Sequence, residues 1–423
     1  MALKVPKIPK MNRHGGEHEQ YLVALDIGTE FVKALIGRVN GNQVDIIGVG
    51  RQHQRLTDMQ SGAVTDIAGV VDNCDAALKQ AEETAGVVAK NAVLGIAGEL
   101  VKGTSTTIKY KRTDPQARIE MGELRQILDR VQERAFERAR ETLAWETGQQ
   151  EIDVKMVNTA IVDVQIDGYR VTNPIGFQGR DVSIQLFNAF APMVHIGALQ
   201  QVGNNLDLNV INIAAEPFAV AKSVGGEDAA DFSAIFIDIG GGTTDIALVD
   251  NGGVEGTKMF GIGGRTFTKR IASVAGCSFD QAEEMKLDYS AGKLAHVKDR
   301  EAVEEAVNAD IKVWLSGVEL SLSEFTKVDH LPARILLCGG GTGLPQVMTA
   351  LKGDWYKGLP FARKPIVSHI DPSMVSRIKD KTGKLTSFAD ITPMGLANIG
   401  LDVINTGSLS ESILQKLSKT MQN

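Results

Sequence analysis

The sequence predicts an α/β protein of two lobes, each built on the same mixed-sheet core, with a smaller α+β module inserted into the first. Three observations carry that expectation. A strand–Asp–Gly–strand unit occurs twice, far apart in the chain. A third apolar strand ends in a glycine turn, "RILLCGGGTGLPQVMTAL", Arg334 to Leu351. Between the two copies, residues 91–191 carry a strand–helix–strand–strand pattern of their own. A chain of 423 residues is also too long for one small core.

The chain begins with "MALKVPKIPKMNRHGG", which is basic and broken by prolines and lacks an apolar h-region, so it does not read as a signal peptide. Residues 1–18 read as a flexible tail whose Lys4, Lys7, Lys10 and Arg13 either meet acidic surfaces or simply solvate it. The first copy of the repeated unit follows in "YLVALDIGTEFVKALIGRVNGNQVDIIGVG". A strand ends at Asp26, a turn holds Gly28 and Thr29, and a second strand runs from Phe31 to Ile36. Asn40-Gly41 then turns the chain into a third strand near Val44 to Val49.

The insert reads as strands at Ala92–Val101 and "STTIKYKR", a long helix, then strands at "VKMVNTAIVDVQID" and "SIQLFNAFA". Met121, Leu124, Ile127, Leu128, Val131, Ala135, Ala139 and Leu143 recur at steps of three and four, which puts them on one helix face. The second copy, "AIFIDIGGGTTDIALVDNG", has strands at Ala234–Ile237 and Ile246–Val249 around Asp238, Gly240, Gly241, Gly242 and Thr243, with Asn251-Gly252 as the next turn. Loops without bulky side chains let backbone N–H groups approach an anion closely. One such loop alone is equally an ordinary hairpin turn. Two of them, repeated in two lobes, predict a ligand held in a cleft between the lobes. The third glycine turn, Gly339, Gly340 and Gly341, leads into a helix and offers further N–H donors. No Gly-Lys-Ser/Thr occurs, and Leu344 occupies the last position of a GxGxxG pattern, so neither nucleotide fingerprint is present.

Composition narrows the function. A formal net charge of −7 argues against nucleic acid as a main partner. Cys74, Cys277 and Cys338 form no CxxC pair and suit a reducing cytoplasm as small apolar residues. No apolar run is long enough to span a bilayer.

The two Asp-Gly hairpins and the glycine turn are similar to the phosphate-1, phosphate-2 and adenosine motifs of the actin, sugar-kinase and heat-shock chaperone ATPase superfamily. Within it, "ALDIGTEFVKALIG", "FIDIGGGTTDIALVDNG" and the Tyr169–Pro192 stretch "YRVTNPIGFQGRDVSIQLFNAFAP" most resemble the FtsA family of bacterial cell-division actin homologues. The resemblance implies an actin-like two-lobed ATPase whose insert is an SHS2-like subdomain 1C. It divides the chain into lobe 1 (19–90 and 192–230), subdomain 1C (91–191), lobe 2 (231–268 and 333–405), subdomain 2B (269–332) and a C-terminal helix (406–423). It implies ATP and Mg²⁺ as cofactors, weak ATPase activity, self-assembly into filaments, and FtsZ as partner at the cytoplasmic face of the membrane. The long charged helix of the insert and the basic tail depart from the family pattern. A PilM-like assembly protein of type IV pili is the alternative on the same fold.

Residue roles follow from chemistry and from that resemblance together. Mg²⁺ prefers hard oxygen ligands and keeps most of its waters on a nucleotide, so strand-end Asp26 and Asp238 suit water-mediated contacts from both lobes. Both also suit a plain turn-forming role. The resemblance makes Lys33 a phosphate contact and Thr29, Thr243 and Thr244 hydroxyl donors to phosphate. It makes Glu216 in "NIAAEPFAVAKSV" the residue that orients water, with Asp245 a second acidic group. Glu283 and Lys286, at helical spacing three, share a face, and the resemblance places them on the ribose. Gly395 and Gly400 in "DITPMGLANIGL" allow close helix packing in the second connection between lobes. In "SLSESILQKLSKTMQN", Leu409, Ile413, Leu417 and Met421 step by four, Leu414 widens the stripe, Lys416 and Lys419 flank it, and Ser408 and Ser410 suit the cap. That pattern suits a helix lying in a membrane interface, or one packed on the body.

Overall fold

A computed structural model of the chain describes residues 19–98, 101–148, 152–225 and 232–406. The basic tail and the expected C-terminal amphipathic helix, from residue 407 onward, lie outside the described residues. The first lobe opens as an antiparallel meander of β1 (Gln20–Ile27), β2 (Phe31–Asn40) and β3 (Gln43–His53). A small hairpin of β4 (Met59–Gln60) and β5 (Ala63–Val64) precedes helix α1 (Ile67–Ala85). Asp66 caps α1 by accepting the N–H groups of Ala68 and Gly69, and Gly86 ends it in the left-handed conformation. The helix packs directly onto β3: a Cβ at Gly50 would lie 1.9 Å from the Ala77 carbonyl oxygen.

Strand β6 (Asn91–Ile96) pairs in parallel with β1. It therefore belongs to the first sheet, and the insert begins after it rather than at residue 91. Its run "NAVLGI" is buried on both faces, as a central parallel strand requires. The insert holds β7 (Lys102–Lys111), α2 (Met121–Thr147), β8 (Val154–Ile166), β9 (Tyr169–Arg170) and β10 (Asp181–Pro192). Leu124, Ile127, Leu128 and Val131 of α2 pack against Ile108, Val164, Ile184 and Leu186 of the strands, the face expected from the heptad-like spacing. The chain returns through α3 (Met193–Asn205) to β11 (Asn209–Ala215), which pairs in parallel with β6, and enters α4 (Glu216–Gly225).

The second lobe repeats the meander with β12 (Ala234–Ile239), β13 (Thr244–Asp250) and β14 (Gly253–Phe260). Asn251 and Gly252 both take positive φ, 48° and 78°, in the two-residue turn between β13 and β14. Helices α5 (Gly264–Ala275), α6 (Phe279–Ser290) and α7 (Val297–Ser323) cover one face, where Phe267, Ile271, Val307 and Trp314 bury Ile235, Ile237 and Leu248. Strand β15 (Arg334–Cys338) follows, then the glycine turn, α8 (Pro345–Leu351), β16 (Ile366–His369), β17 (Ile378–Asp380) and α9 (Ile391–Thr406).

The first sheet has the order β11-β6-β1-β2-β3-β17 and the second β16-β15-β12-β13-β14-β7-β10-β8-β9. The insert thus extends the second lobe's sheet, joined by the pairs Gly256–Thr104 and Thr257–Gly103. The alternate residues of β12, Ala234 and Phe236, face the other way, into one core continuous with the first lobe. Helices α4 and α9 cross within that core. A Cβ at Gly395 would sit 3.0 Å from the backbone of Ala219, so this crossing is as close as its glycine permits. Among the described residues no helix is long and apolar enough to cross a membrane.

Candidate functional site

The C-terminal ends of β1 and β12 point at each other. In the first hairpin Asp26 is the register partner of Lys33, whose Nζ lies 3.1 Å from the Asp26 carboxylate. Burial opposes the charge on Lys33, but Asp26 and Asp238 outweigh it and hold the ammonium's pKa above its ordinary value. In the second hairpin Asp238 is the register partner of Asp245. Asp238 accepts a 2.5 Å hydrogen bond from Thr392 at the start of α9. Burial raises its pKa despite that bond. Asp245 accepts from the Thr243 hydroxyl at 3.0 Å, while its other oxygen is buried without a partner among the described residues. Its pKa is pushed well up by burial and by Asp238.

Glu216 completes the group from the junction of β11 and α4. Burial, and then the fields of Asp26, Asp245 and Asp238, push its carboxyl well above the carboxylate range, with Lys33 opposing. Four buried carboxylates therefore face one lysine. Such a cluster is costly unless a cation or a donor-rich ligand shares it.

These residues line a cavity of about 200 Å³ between the lobes, together with Gly28, Thr29, Gly240, Gly241, Gly242 and Thr243. Gly339, Gly340 and Gly341 close its far wall, and Glu283 and Lys286 enter from α6. The glycines are sterically required where the walls meet. A Cβ at Gly242 would lie 2.6 Å from the Thr29 hydroxyl, and one at Gly339, where φ is 83°, would lie 2.0 Å from Asp238. Lys286 donates to Glu283 at 2.7 Å, to Thr268 at 2.8 Å and to the Gly264 carbonyl at 3.2 Å, so the pair is rigidly placed.

Of the residues expected at the site, the structure turns Thr244 away. Its hydroxyl donates to the Ile262 carbonyl at 2.6 Å and accepts from the Trp314 indole at 2.9 Å, so it is not free to meet a phosphate. The reason is strand alternation: Thr243 and Asp245 face the cleft, and the residue between them faces the opposite core.

Among the cleft residues that the sequence does not single out are Arg265 and Glu30. Arg265, on α5, donates through Nε to Glu30 of the first lobe at 2.6 Å and through a terminal nitrogen to the Met59 carbonyl at 3.3 Å. Glu30 also meets His53 at 2.7 Å. The run "GIGGRTFT" places an arginine just after a double glycine, which is the one local hint; its partner lies 235 positions away.

Residues 235–407 match the family model described as cell division protein FtsA. The FtsA of Pseudomonas aeruginosa is 26% identical over 343 residues, covering 75% of this chain and 77% of that protein. The Neisseria meningitidis FtsA is 30% identical over 275 residues, covering 64% and 62%, and that of Bacillus subtilis 23% identical over 384 residues, covering 85% and 82%. The chain is similar to FtsA proteins over most of its length. Among solved structures, a chain of the PilM–PilN type IV pilus biogenesis complex superposes with a TM-score of 0.62 at 15% identity, covering 91% of this chain and 99% of that one. That likeness describes the actin-like fold of this chain and nothing of its partners.

Proposed function

We propose that this FtsA-type cell-division protein binds ATP with Mg²⁺ in the interlobe cleft, self-assembles, and couples FtsZ filaments to the cytoplasmic face of the membrane. The observation that carries the nucleotide reading is the meeting of two glycine hairpins over four buried carboxylates, with Lys33 set among them. The donor set fits the group. Lys33, the Thr29 and Thr243 hydroxyls and the backbone N–H groups of residues 240–242 suit phosphate oxygens, and Lys286 with Glu283 suits ribose hydroxyls. Among the described residues no three His, Cys, Asp or Glu side chains converge closely enough to ligate a metal directly. That agrees with a hydrated Mg²⁺ carried on phosphate, with Asp26 and Asp238 binding its waters.

Glu216 is suited to orient a water at the phosphate end, with Asp245 as a second acceptor. The expected turnover is slow, with nucleotide serving lobe closure and polymer contacts. Membrane contact rests on the sequence of residues 406–423, whose stripe is narrow and carries only two lysines. One helix would bind weakly, at about 1 kcal/mol per lysine on anionic lipid, and assembly would sum many such contacts. The test is cosedimentation with FtsZ, alone and with anionic vesicles, using the full chain and one ending at Thr406. Coupling of FtsZ to vesicles by the full chain alone supports the reading. Failure to bind FtsZ, or equal vesicle binding by both forms, overturns the corresponding half.

A further inference from the structure

A second groove, larger than the cleft between the lobes, shares no lining residue with it. It has a volume of about 780 Å³ and runs between β14, the C-terminal half of α7 and the insert, against about 200 Å³ for the cleft. Its helical wall presents Val313 and Leu320, seven residues apart and so on one face, which are 59% and 64% exposed. Gly317 between them lets α7 sit on the Phe260 ring, since a Cβ there would lie 2.9 Å from that ring. Phe325 and Phe190 add to the apolar lining.

Two further features give the groove a direction and a sign. Pairing between β14 and β7 ends at Thr257 and Gly103, so Lys258 to Phe260 have no strand on that edge among the described residues. The Thr257 hydroxyl, also on the groove, is buried without a hydrogen-bond partner among the described residues. Lys102, Arg138, Lys258 and Lys327 line the space against Glu255 and Glu324, an excess of two positive charges in a chain whose formal net charge is −7. Glu324 pairs with Lys258, whereas Arg138 forms no ion pair with a described residue.

We propose that this groove binds an extended segment of a partner protein that alternates apolar and acidic residues. The segment adds as a strand to the edge of β14 that is unpaired among the described residues, seats its apolar side chains against Val313 and Leu320, and turns its carboxylates to Arg138 and Lys327. The chain's own undescribed termini do not suit the role. Residues 1–18 carry Lys4, Lys7, Lys10 and Arg13 against Glu17, and residues 407–423 carry Lys416 and Lys419 against Glu411, so both share the groove's sign.

The test uses the full chain and two short fluorescent peptides, one alternating Leu with Asp and one alternating Leu with Lys, read by anisotropy. The acidic peptide is expected to bind and to slow hydrogen exchange at Lys258 to Phe260. Arg138→Glu and Leu320→Asp, both at exposed positions, should each weaken it about tenfold while circular dichroism and binding of fluorescent ATP stay unchanged. Equal affinity for the two peptides, or indifference to both substitutions, overturns the proposal. So does protection of Lys258 to Phe260 that rises with the concentration of the chain alone, which would make a second copy the occupant.

Discussion

In the first lobe the residue facing the hairpin aspartate is Lys33; in the second it is Asp245. Each stands seven positions after its aspartate, in the same antiparallel register, so the backbone of one hairpin repeats the other. The consequences diverge because the side chain differs in sign. Asp26 forms an ion pair within its own hairpin, whereas Asp245 has its pKa raised by burial and then by its partner Asp238. A second difference follows four residues after each aspartate. Glu30 in the first hairpin is matched by Gly242 in the second, and neighbouring Gly241 leaves the room Glu30 occupies, since a Cβ there would lie 2.7 Å from the Glu30 Cβ. Duplication therefore supplies a symmetric frame, and divergence at two positions gives the first hairpin a lysine beside its aspartate and a glutamate that reaches Arg265 of the second lobe. The glycines let the lobes touch.

The largest effect should come from erasing what the hairpins share. Asp26→Ala with Asp238→Ala removes both expected water-mediated metal contacts, and fluorescent ATP binding in Mg²⁺ is expected to fall by about hundredfold or more, roughly 3 kcal/mol. Lys33→Asp tests the difference instead, by giving the first hairpin the charge of the second. It should lose nearly as much, because five carboxylates would then face a polyanion with no lysine on either hairpin. Wild-type affinity in either variant would remove the nucleotide from this cleft.

Much of this frame is written locally in the chain. The two Asp-Gly hairpins, the apolar face of α2 and the Glu283–Lys286 pair are visible because they are set by spacings of two, three or four residues. What the sequence hides depends on distant partners. Strand β6 reads like part of the insert until its parallel neighbours, β1 and β11, are known. Thr244 reads like its neighbour Thr243 until Trp314 is seen to claim its hydroxyl. Arg265 and Glu30 are unremarkable charges until the lobes bring them together, and the groove beside β14 exists only because the insert joins the second sheet for two residue pairs.

The seam that lets the hairpins face each other should show a moderate effect. Asp402 on α9 accepts from Arg377 at 2.7 Å and pairs with Lys222 of α4. Burial opposes its charge, but Lys222 and Arg377 prevail and lower its pKa to about 2. A folded-state pKa below the unfolded one stabilises the fold at higher pH, and that part is lost as pH falls from about 4 to about 2. Asp402→Asn should therefore cost about 2 kcal/mol at neutral pH in urea unfolding. The gap between variant and wild type should close across that acid window. A gap that persists at pH 2 would mean the amide disrupts packing rather than removing charge.

The smallest expected effect belongs to the bridge that only the difference between the hairpins permits. Arg265 and Glu30 are 9% and 14% exposed at their side chains, too buried for full screening and too open for the full penalty of an orphaned charge. The bridge spans the two lobes beside the expected phosphate loops, so it should slow opening of the cleft. A cycle of Arg265→Gln, Glu30→Gln and the double variant should give a coupling of about 1 kcal/mol in the release rate of fluorescent ATP by stopped flow. Each single variant should release faster, and the double should add little to either. His53 provides the internal control, since it also meets Glu30 but from the same lobe. His53→Gln should leave release nearly unchanged. If it speeds release as much as Arg265→Gln does, Glu30 acts by holding its own loop, and the contact between the lobes is incidental to nucleotide retention.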